Sequence, residues 1–144
     1  MERGSSDLDI AVEAVRSGAS IAVAKGGRLL ASRDGHSVRP LIELLSEVGD
    51  ELQGASVADK VLGRAAALVL ADNPDIYMVH GVVMSAHGKE ALESAGIPYS
   101  FDRLVDFILN RTGDGMCPIE QMSLRYREPR DFVAAMREMY LRRG

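Results

Sequence analysis

The sequence predicts an α/β protein, with helices on both faces of a mixed sheet of about four to five strands in a three-layer α/β/α arrangement. Segments with the hydrophobic spacing of helices alternate with short segments of β type. The run IYMVHGVVM at 76–84 is almost continuously apolar, as is typical of a strand buried on both faces. With 144 residues, 47% of them hydrophobic and 26% charged, the chain suits one compact domain.

A helix and a β-hairpin are predicted first. Ser6 caps the helix, Asp7 lies where the helix dipole favours negative charge, and Gly18 ends it. Residues 1–5 precede this cap, and we expect them to be flexible. The segments ASIAVAK and RLLASR then flank a Gly-Gly pair at 26–27, which predicts a hairpin with a two-residue turn.

Two helices are predicted between the hairpin and the apolar strand. Pro40 begins the first, and the apolar residues that follow it recur at helical spacing. The segment ADKVLGRAAALVLA at 58–71 predicts the second, whose small apolar side chains suit close packing on a sheet. Asn73 and Pro74 end this helix before the strand begins.

The apolar strand is followed by a predicted helix at 87–95 and a short strand at 97–100. This order indicates a right-handed crossover between parallel strands, so a sheet that also contains the hairpin is mixed. A further helix is predicted over 102–110, and a short helical turn begins at Pro118.

The segment 125–144 predicts an amphipathic helix that extends the domain at 6–124. Its apolar stripe consists of Phe132, Val133, Met136, Met139 and Tyr140. Residues 122–144 hold six arginines and three acids, whereas residues 1–121 carry a net charge of −7. We therefore expect this helix to dock on its own domain or on the acidic surface of a second copy, and we favour a homo-oligomer.

Composition excludes several classes of protein. The single cysteine, Cys117, rules out an intrachain disulfide and suits a reducing cytoplasm. The longest uncharged segment, 76–88, is 13 residues long, whereas a membrane-spanning helix needs about 20. The first residues, MERGSSDLD, lack the apolar region of a signal peptide. An acidic body with 5% aromatic residues disfavours nucleic-acid binding, so we expect a cytoplasmic protein without membrane association.

Three segments resemble a known family: KGGRLLASRDGHSVRPL at 25–41, ADKVLGRAAA at 58–67 and NRTGDGMCPIE at 110–120. They are similar to a small bacterial family described as domain of unknown function (DUF) 1893, over about residues 6–124. The resemblance implies a fold like that of the cytidine deaminases. A shared fold does not by itself imply a shared function.

The zinc ligands of deaminases are missing at the positions where the resemblance implies them. Zinc deaminases hold the metal with one His or Cys and two further Cys, beside a Glu that transfers protons. The position of the His-Ala-Glu motif reads Val57-Ala58-Asp59, and the turn where the two cysteines belong, Ser85 to Lys89, has neither. We therefore predict neither metal nor cofactor, and no zinc-dependent deamination.

Nine residues are candidates for ligand binding: Lys25, Arg39, Asp59, Lys60, Asn110, Arg111, Asp114, Cys117 and Glu120. Asp59 and Lys60 lie at the predicted start of an apolar helix, where unpaired backbone amides attract anions. The alternative interpretation is that Asp59 merely complements the helix dipole. Arg39 also precedes a helix with free amides and would join the same anion site.

The loop NRTGDGMCPIE supplies the remaining candidates. Its two glycines allow close approach of the backbone, so the loop is able to hold a phosphate together with Arg111. The simpler interpretation is a helix end followed by a tight turn, with Cys117 as a buried apolar side chain. We predict that Asp59, Lys60, Arg111 and Asp114 line one pocket, at the carboxyl edge of the sheet.

Three functional hypotheses remain open at this stage. The leading one is a domain that binds a nucleoside- or nucleotide-like ligand, without catalysis or with weak catalysis. The second is a metal-independent enzyme that uses Asp59, Asp114 or Cys117. The third is a subunit that serves protein–protein assembly.

Overall fold

The computed structural model describes residues 3–73 and 75–142, which form six helices and five strands, together with a 3-10 turn at Gly49–Leu52. The helices are α1 (Arg3–Arg16), α2 (Arg39–Val48), α3 (Arg64–Ala71), α4 (Ala86–Ala95), α5 (Pro118–Ser123) and α6 (Pro129–Arg142). The strands are β1 (Ile21–Lys25), β2 (Arg28–Arg33), β3 (Ser56–Leu62), β4 (Met78–Ser85) and β5 (Tyr99–Val105). None of the helices in these residues is long and apolar enough to cross a bilayer.

The five strands form one mixed sheet in the order β2-β1-β3-β4-β5. Strand β1 runs antiparallel to both of its neighbours, whereas β3, β4 and β5 are parallel to one another. The hairpin turns at Gly26 and Gly27, which both have positive φ, as the sequence predicted. The predicted mixed α/β sheet is therefore confirmed.

Helices cover both faces of the sheet. Helix α1 packs on one face, where Leu8, Ala11 and Val12 meet the alanines at 22, 24 and 58. The larger cluster lies on the other face and takes apolar residues from α2, α3, α4 and α6. Small side chains on the α1 face let that helix lie close to the strands.

Strand β3 corrects the prediction of a helix over 58–71. The helix α3 begins only at Arg64, and Ser56–Leu62 is the strand between β1 and β4. The segment has the spacing of a helix, but Val57 and Ala58 face opposite sides of the sheet and are both fully buried. Pairing on both sides satisfies the backbone and buries both faces, which outweighs local helix propensity.

Strand β5 corrects a second prediction. Residues 102–105 continue the strand that was predicted to end at 100, and the expected helix over 102–110 does not form. Parallel pairing with β4 extends from Val79 opposite Tyr99 to Ser85 opposite Val105. The loop after β5 then returns toward α5 with a single bridge between Leu109 and Met116.

Helix α1 begins at Arg3, three residues before the predicted cap at Ser6, while residues 1 and 2 lie outside the described part of the chain. Asp7 does not simply complement a helix dipole. Its buried carboxylate accepts hydrogen bonds from the backbone N–H groups of Gly26 at 3.1 Å and Gly27 at 2.8 Å. Asp7 therefore joins α1 to the turn of the hairpin.

Helix α6 docks on its own domain, the first of the two predicted arrangements. Phe132, Val133 and Met136 are buried in the large cluster, where α6 packs on α2 and α3. Tyr140 lies under the guanidinium group of Arg39, 5.4 Å from it to the ring centroid. This stripe is thus used within the chain and gives no reason to expect a second copy on α6.

Candidate functional site

A cavity of about 710 Å³ opens where β3 ends, between the starts of α2 and α3. The loop after β5 forms its third wall through residues 108–112 and 117–120. Its lining is largely apolar, with side chains such as Ile21, Leu41 and Ile108. A volume of this size, with few polar groups on apolar walls, is typical of small-molecule sites.

Six of the nine predicted candidates line this cavity: Asp59, Lys60, Asn110, Arg111, Cys117 and Glu120. They come from two segments that are 50 residues apart in sequence, β3 and the loop that ends in α5. The sequence placed Asp59 and Lys60 at a helix start. The structure places them in β3. The predicted anion site, formed by the free amides of a helix that starts at these two residues, therefore does not exist.

Lys25, Arg39 and Asp114 lie outside the lining. Lys25 ends β1 beside the hairpin turn. The Arg39 Nε donates to Glu43 Oε2 at 3.3 Å within α2, so this side chain is directed to its own helix. The predicted pocket of Asp59, Lys60, Arg111 and Asp114 therefore contains three of these four residues.

Asp114 holds the loop together instead. Its Oδ1 accepts from Thr112 Oγ1 at 2.6 Å and from Asn110 Nδ2 at 2.9 Å, and these bonds lower the pKa of Asp114. Asn110 Oδ1 in turn accepts from the backbone N–H of Gly113, which has positive φ. Side chains of the loop itself therefore close the turn at 110–114, which contains Arg111.

Asp59 lies half-buried in the wall of the cavity. Its Oδ1 accepts a hydrogen bond from the backbone N–H of Val61 at 3.2 Å. Burial, together with the negative charge of Glu120, raises the pKa of Asp59 to about 7, although the amides of Val61 and Lys60 lower it. Near neutral pH the Asp59 carboxyl group is therefore able to donate a hydrogen bond as well as to accept one.

Glu120 closes the start of α3. Its carboxylate accepts from the backbone N–H of Arg64 and from that of Ala65, each at 2.8 Å, and it is buried. Burial raises the pKa of Glu120, while the two amides and the positive charges of His87 and Arg64 lower it. The helix start that faces the cavity from this side is thus capped by a residue 55 positions further along the chain.

Gly63, between β3 and α3, makes room for this cap. A Cβ atom at position 63 would overlap the carboxyl group of Glu120. The Arg64 side chain secures α5 from the other side, because its guanidinium group donates to the backbone oxygens of Ser123 and of Tyr126. Residue 63 must therefore lack a side chain for Glu120 to reach the amides of α3.

The start of α2 is arranged differently. Its N-cap residue is Val38, which has no side-chain acceptor and makes no capping hydrogen bond, and Pro40 follows within the first turn. Ser37 has φ of 65°, the only positive φ among the non-glycine residues that the structure describes. A positive φ costs a non-glycine residue about 1–2 kcal/mol, so the surrounding structure must hold Ser37 in this conformation.

Sequence reasoning did not find Gly63, His36 and Ser37, although all three line the cavity. The segment GHSVRP is part of the family resemblance, but the binding candidate it supplied was Arg39, which lies outside the lining. A signal for Gly63 was present, because a lone glycine between a strand and a helix marks close approach of another group. That signal was hidden by the wrong helix boundary at 58.

The position where the resemblance implied the deaminase His-Ala-Glu motif has a different local structure from the one expected. Val57 to Asp59 lie inside β3 rather than at a helix start. Residues 85–89 do lie at the junction of β4 and α4, as expected. Across residues 3–73 and 75–142, no group of three or more His, Cys, Asp and Glu is placed to hold a metal ion, so these residues do not fit a catalytic zinc.

A second cavity of about 460 Å³ lies between α3, α4 and the start of α6. Arg64 and Arg127 contribute positive charge to its lining, and Glu90 and Glu128 contribute negative charge. It contains none of the predicted candidates. The guanidinium group of Arg64 is already occupied by backbone oxygens, so this cavity offers fewer free donors than the first.

The fold and the first cavity define an α/β protein with a cavity at the carboxyl end of its central strands. The chain belongs to the DUF1893 family, because the family model described as "Domain of unknown function (DUF1893)" matches residues 10–140. The matched range includes most of α6, which the sequence analysis treated as an extension of the domain. The family resemblance seen in three short segments is confirmed.

A solved structure supports the fold. The crystal structure of a DUF1893 family protein from Thermotoga maritima is similar to this chain with a TM-score of 0.78 and 23% sequence identity. The similarity covers 91% of this chain and 90% of that one. No curated protein matches the chain. At 23% identity the comparison shows a shared fold, and function has to be argued from the residues of the site.

Proposed function

We propose that this protein binds a small nucleoside- or nucleotide-like molecule in the 710 Å³ cavity. The observation that carries the proposal is the position of Asp59. Its carboxyl group, with a pKa near 7, lies in a largely apolar cavity that also contains Lys60 and Arg111. Ionisable groups with perturbed pKa values inside a cavity mark candidate functional sites.

Asp59 suits the edge of a nucleobase. Such an edge presents a hydrogen-bond donor beside an acceptor, and a carboxyl group that is half protonated at neutral pH matches either pattern. The apolar residues Ile21, Val61 and Ile108 supply a surface against which a flat ring packs. The base is therefore assigned to the region near Asp59.

Lys60 and Arg111 suit the anionic part of a nucleotide. Both are exposed side chains on the lining, and Lys and Arg are the usual partners of phosphate oxygens. The start of α2 lies in the same wall and carries the partial positive charge of a helix N-terminus. A phosphate group at this side of the cavity would meet all three.

Asp59 also supports a second candidate function, a metal-independent enzyme. A carboxyl group with a pKa near 7 is suited to transfer a proton at neutral pH. Cys117 lies in the same lining, whereas Asp114 does not, so the geometry favours Asp59 as the acid or base. A cytidine-deaminase-like fold stays a hypothesis, supported by the succession of hairpin, helix and parallel strands.

Ligand-induced stabilisation tests the binding proposal. We expect nucleosides or nucleoside monophosphates to raise the melting temperature, since a ligand at 100 times its Kd adds about 2.7 kcal/mol. Asp59→Asn should reduce the rise for nucleosides and nucleotides, and Lys60→Ala with Arg111→Ala should reduce it for nucleotides only. Lys25→Ala is the matched control, because Lys25 lies outside the lining.

Two outcomes would contradict the proposal. One is a melting temperature that none of the nucleosides and nucleotides changes. The other is an equal rise in the wild-type chain and in the Asp59→Asn and Lys60→Ala, Arg111→Ala variants, which would locate binding elsewhere. Turnover of a bound compound that is lost in Asp59→Asn would favour the enzymatic alternative.

A further inference from the structure

Strand β5 forms one edge of the sheet and is largely exposed along its length. Phe101 and Leu104 are 37% and 43% exposed, and the ring of Phe101 is stacked with that of Tyr99 at a centroid distance of 6.4 Å. In the described part of the chain, β4 is the only strand that pairs with β5. An edge strand with exposed apolar side chains is a template for pairing with another chain.

The backbone of β5 shows which residues are free to pair. The N–H of Val79 donates to the oxygen of Pro98 at 3.0 Å, so Pro98, and by alternation Ser100 and Asp102, direct their polar backbone groups toward β4. The N–H and C=O groups of Tyr99, Phe101 and Arg103 therefore point outward, away from the sheet. These three residues are the ones that a further strand would bond.

Side-chain contacts join the edge strand to its neighbours. Ser100 Oγ lies 2.7 Å from His80 Nδ1, and Asp102 Oδ1 lies 3.2 Å from His80 Nε2. Arg16, at the end of α1, forms a further ion pair with Asp102 at 3.3 Å. These contacts connect β5 to β4 and to α1, so the edge strand is already part of the folded sheet before a partner pairs with it.

We propose that β5 pairs with β5 of a second copy of this chain, antiparallel, with Phe101 opposite Phe101 of the second copy. The two five-stranded sheets then form one continuous sheet about a two-fold axis normal to it. The partner is assigned as a second copy because this register places Phe101 opposite Phe101 and Tyr99 opposite Arg103, with no like charges opposite each other. The proposal does not depend on a ligand in the cavity.

Side-chain chemistry selects this register. With Phe101 at the two-fold axis, Tyr99 lies opposite Arg103 of the second copy, an aromatic ring facing a cation, and Ser100 lies opposite Asp102 of the second copy. Both pairs occur twice by symmetry, and an aromatic pair lies at the centre. Phe101, Asp102 and Arg103 are exposed on this edge, whereas Tyr99 and Ser100 are half-buried.

The neighbouring registers are worse. In a symmetric antiparallel pair, side chains on the same face of the two sheets lie opposite each other only when one residue lies opposite its own copy at the two-fold axis. The alternative registers therefore differ in which residue of β5 lies at the axis. Asp102 opposite Asp102 joins two carboxylates, and Arg103 opposite Arg103 joins two cations, and like charges in opposite positions are destabilising. Ser100 opposite Ser100 leaves only residues 99–101 of the strand paired.

Solution mass of the full chain, measured without ligand, tests the interface. We expect the wild-type chain to be a dimer and Phe101→Lys to raise the dimer dissociation constant at least about tenfold, since it removes an aromatic pair and opposes two cations. Leu29→Lys is the matched control, because Leu29 is also exposed, at 43% against 37% for Phe101, but lies on β2, at the other edge. It should leave the dimer unchanged.

Oxidative trapping tests the register and does not depend on the lysine variant. Phe101→Cys should form a covalent dimer, because paired strands bring opposite Cα atoms to about 5.5 Å, within disulfide range. Arg103→Cys should not, because its two copies are offset by four residues, about 14 Å along the strand. The wild-type chain, with only Cys117, gives the background.

A monomeric wild-type chain overturns the proposal, and so does a dimer that Phe101→Lys leaves intact. A dimer in which Phe101→Cys is not trapped also overturns it, because another surface then mediates assembly. Trapping through Arg103→Cys in place of Phe101→Cys overturns the register. Each of these results is independent of whether nucleotides bind the cavity.

Discussion

The N-termini of α2 and α3 face the same cavity, and only that of α3 is capped by a side chain. At α3 the first amides are occupied by the buried carboxylate of Glu120, and Gly63 leaves space for it. At α2 the cap position is held by Val38, and the preceding Ser37 has positive φ. A side-chain carboxylate therefore pairs with the first amides of α3, whereas no side chain caps the start of α2.

The comparison also shows what each part of the loop before α5 does. Glu120 acts on the fold, because it joins α5 to α3 in the core. Arg111 acts at the surface of the cavity, on a turn closed by Asn110 and Asp114. One continuous segment thus contributes a structural cap and a candidate binding residue.

Removing the cap of α3 should have the largest effect. Glu120→Ala leaves the buried amide of Ala65 and the half-buried amide of Arg64 without a partner, so we expect the free energy of unfolding to fall by about 2–3 kcal/mol in urea denaturation. Glu120→Gln keeps one acceptor and should lose less. Sulfate should stabilise Glu120→Ala more than the wild-type chain, because it replaces the missing anion. Equal unfolding of all three proteins would show that Glu120 is not a cap.

Filling the space beside the cap should have the next largest effect. Gly63→Ala brings a methyl group into the Glu120 carboxyl group, and we expect a loss of about 1–3 kcal/mol in the same measurement. In the Glu120→Ala background the same change should cost much less, because the overlapping group is gone. Additive losses in the double variant would argue against this contact.

The raised pKa of Asp59 predicts a pH dependence of stability. The folded chain keeps the Asp59 proton up to about pH 7, whereas the unfolded chain loses it near pH 3.8, so this residue's contribution is full below pH 3.8 and is lost as the pH rises through 7. As the pH rises from 4 to 8, the free energy of unfolding of Asp59→Asn should therefore increase by about 1–2 kcal/mol relative to that of the wild-type chain. A fully buried carboxyl group would give a larger difference.

Asp114→Asn is the matched control with the opposite sign. Hydrogen bonds from Thr112 and Asn110 lower the pKa of Asp114, so its contribution is present at neutral pH and is lost as the pH falls through its lowered pKa. This variant should lose stability relative to the wild-type chain as the pH rises from acid to neutral. If both variants show the same trend in urea melts, Asp59 does not hold its proton in the folded chain.

Relieving the strain at α2 should have the smallest effect. Ser37→Gly removes the steric penalty of positive φ, about 1 kcal/mol, but adds a similar entropy to the unfolded chain, so we expect a net change below about 0.5 kcal/mol. Ser37→Val should lose about 1–2 kcal/mol in the same urea melts. A large loss in the glycine variant would show that the Ser37 side chain itself supports α2.

Much of the fold was predictable because its signals are local. The hairpin follows from the Gly-Gly turn, and Pro40, Pro118 and Pro129 each lie in the first turn of a helix. The apolar strand at 78–85 and the buried stripe of α6 follow from hydrophobic spacing alone. Each of these features is set by neighbours within one or two turns, so a single sequence contains the information.

The candidate site was predictable in its residue types and only partly in its geometry. Asp59, Lys60 and Arg111 stand out as polar residues in unusual sequence contexts, and they do share one cavity. Asp114 was misassigned because its partners within the loop, Asn110 and Thr112, are not evident from spacing. The cap formed by Glu120 escaped prediction because donor and acceptor are more than 50 residues apart.

The sequence by itself determined the fold class, the hairpin, the apolar central strand and the residue types of the cavity, because propensity, turn chemistry and hydrophobic spacing act over short distances. Only the tertiary structure decided that 58–62 and 102–105 are strand rather than helix, because their pairing with β1 and β4 outweighs a helix-like pattern. The tertiary structure also decided that α3, rather than α2, has its N-terminus capped by a side chain. The reach of Glu120 to α3 is a contact between distant segments, and such contacts exist only once the core has formed.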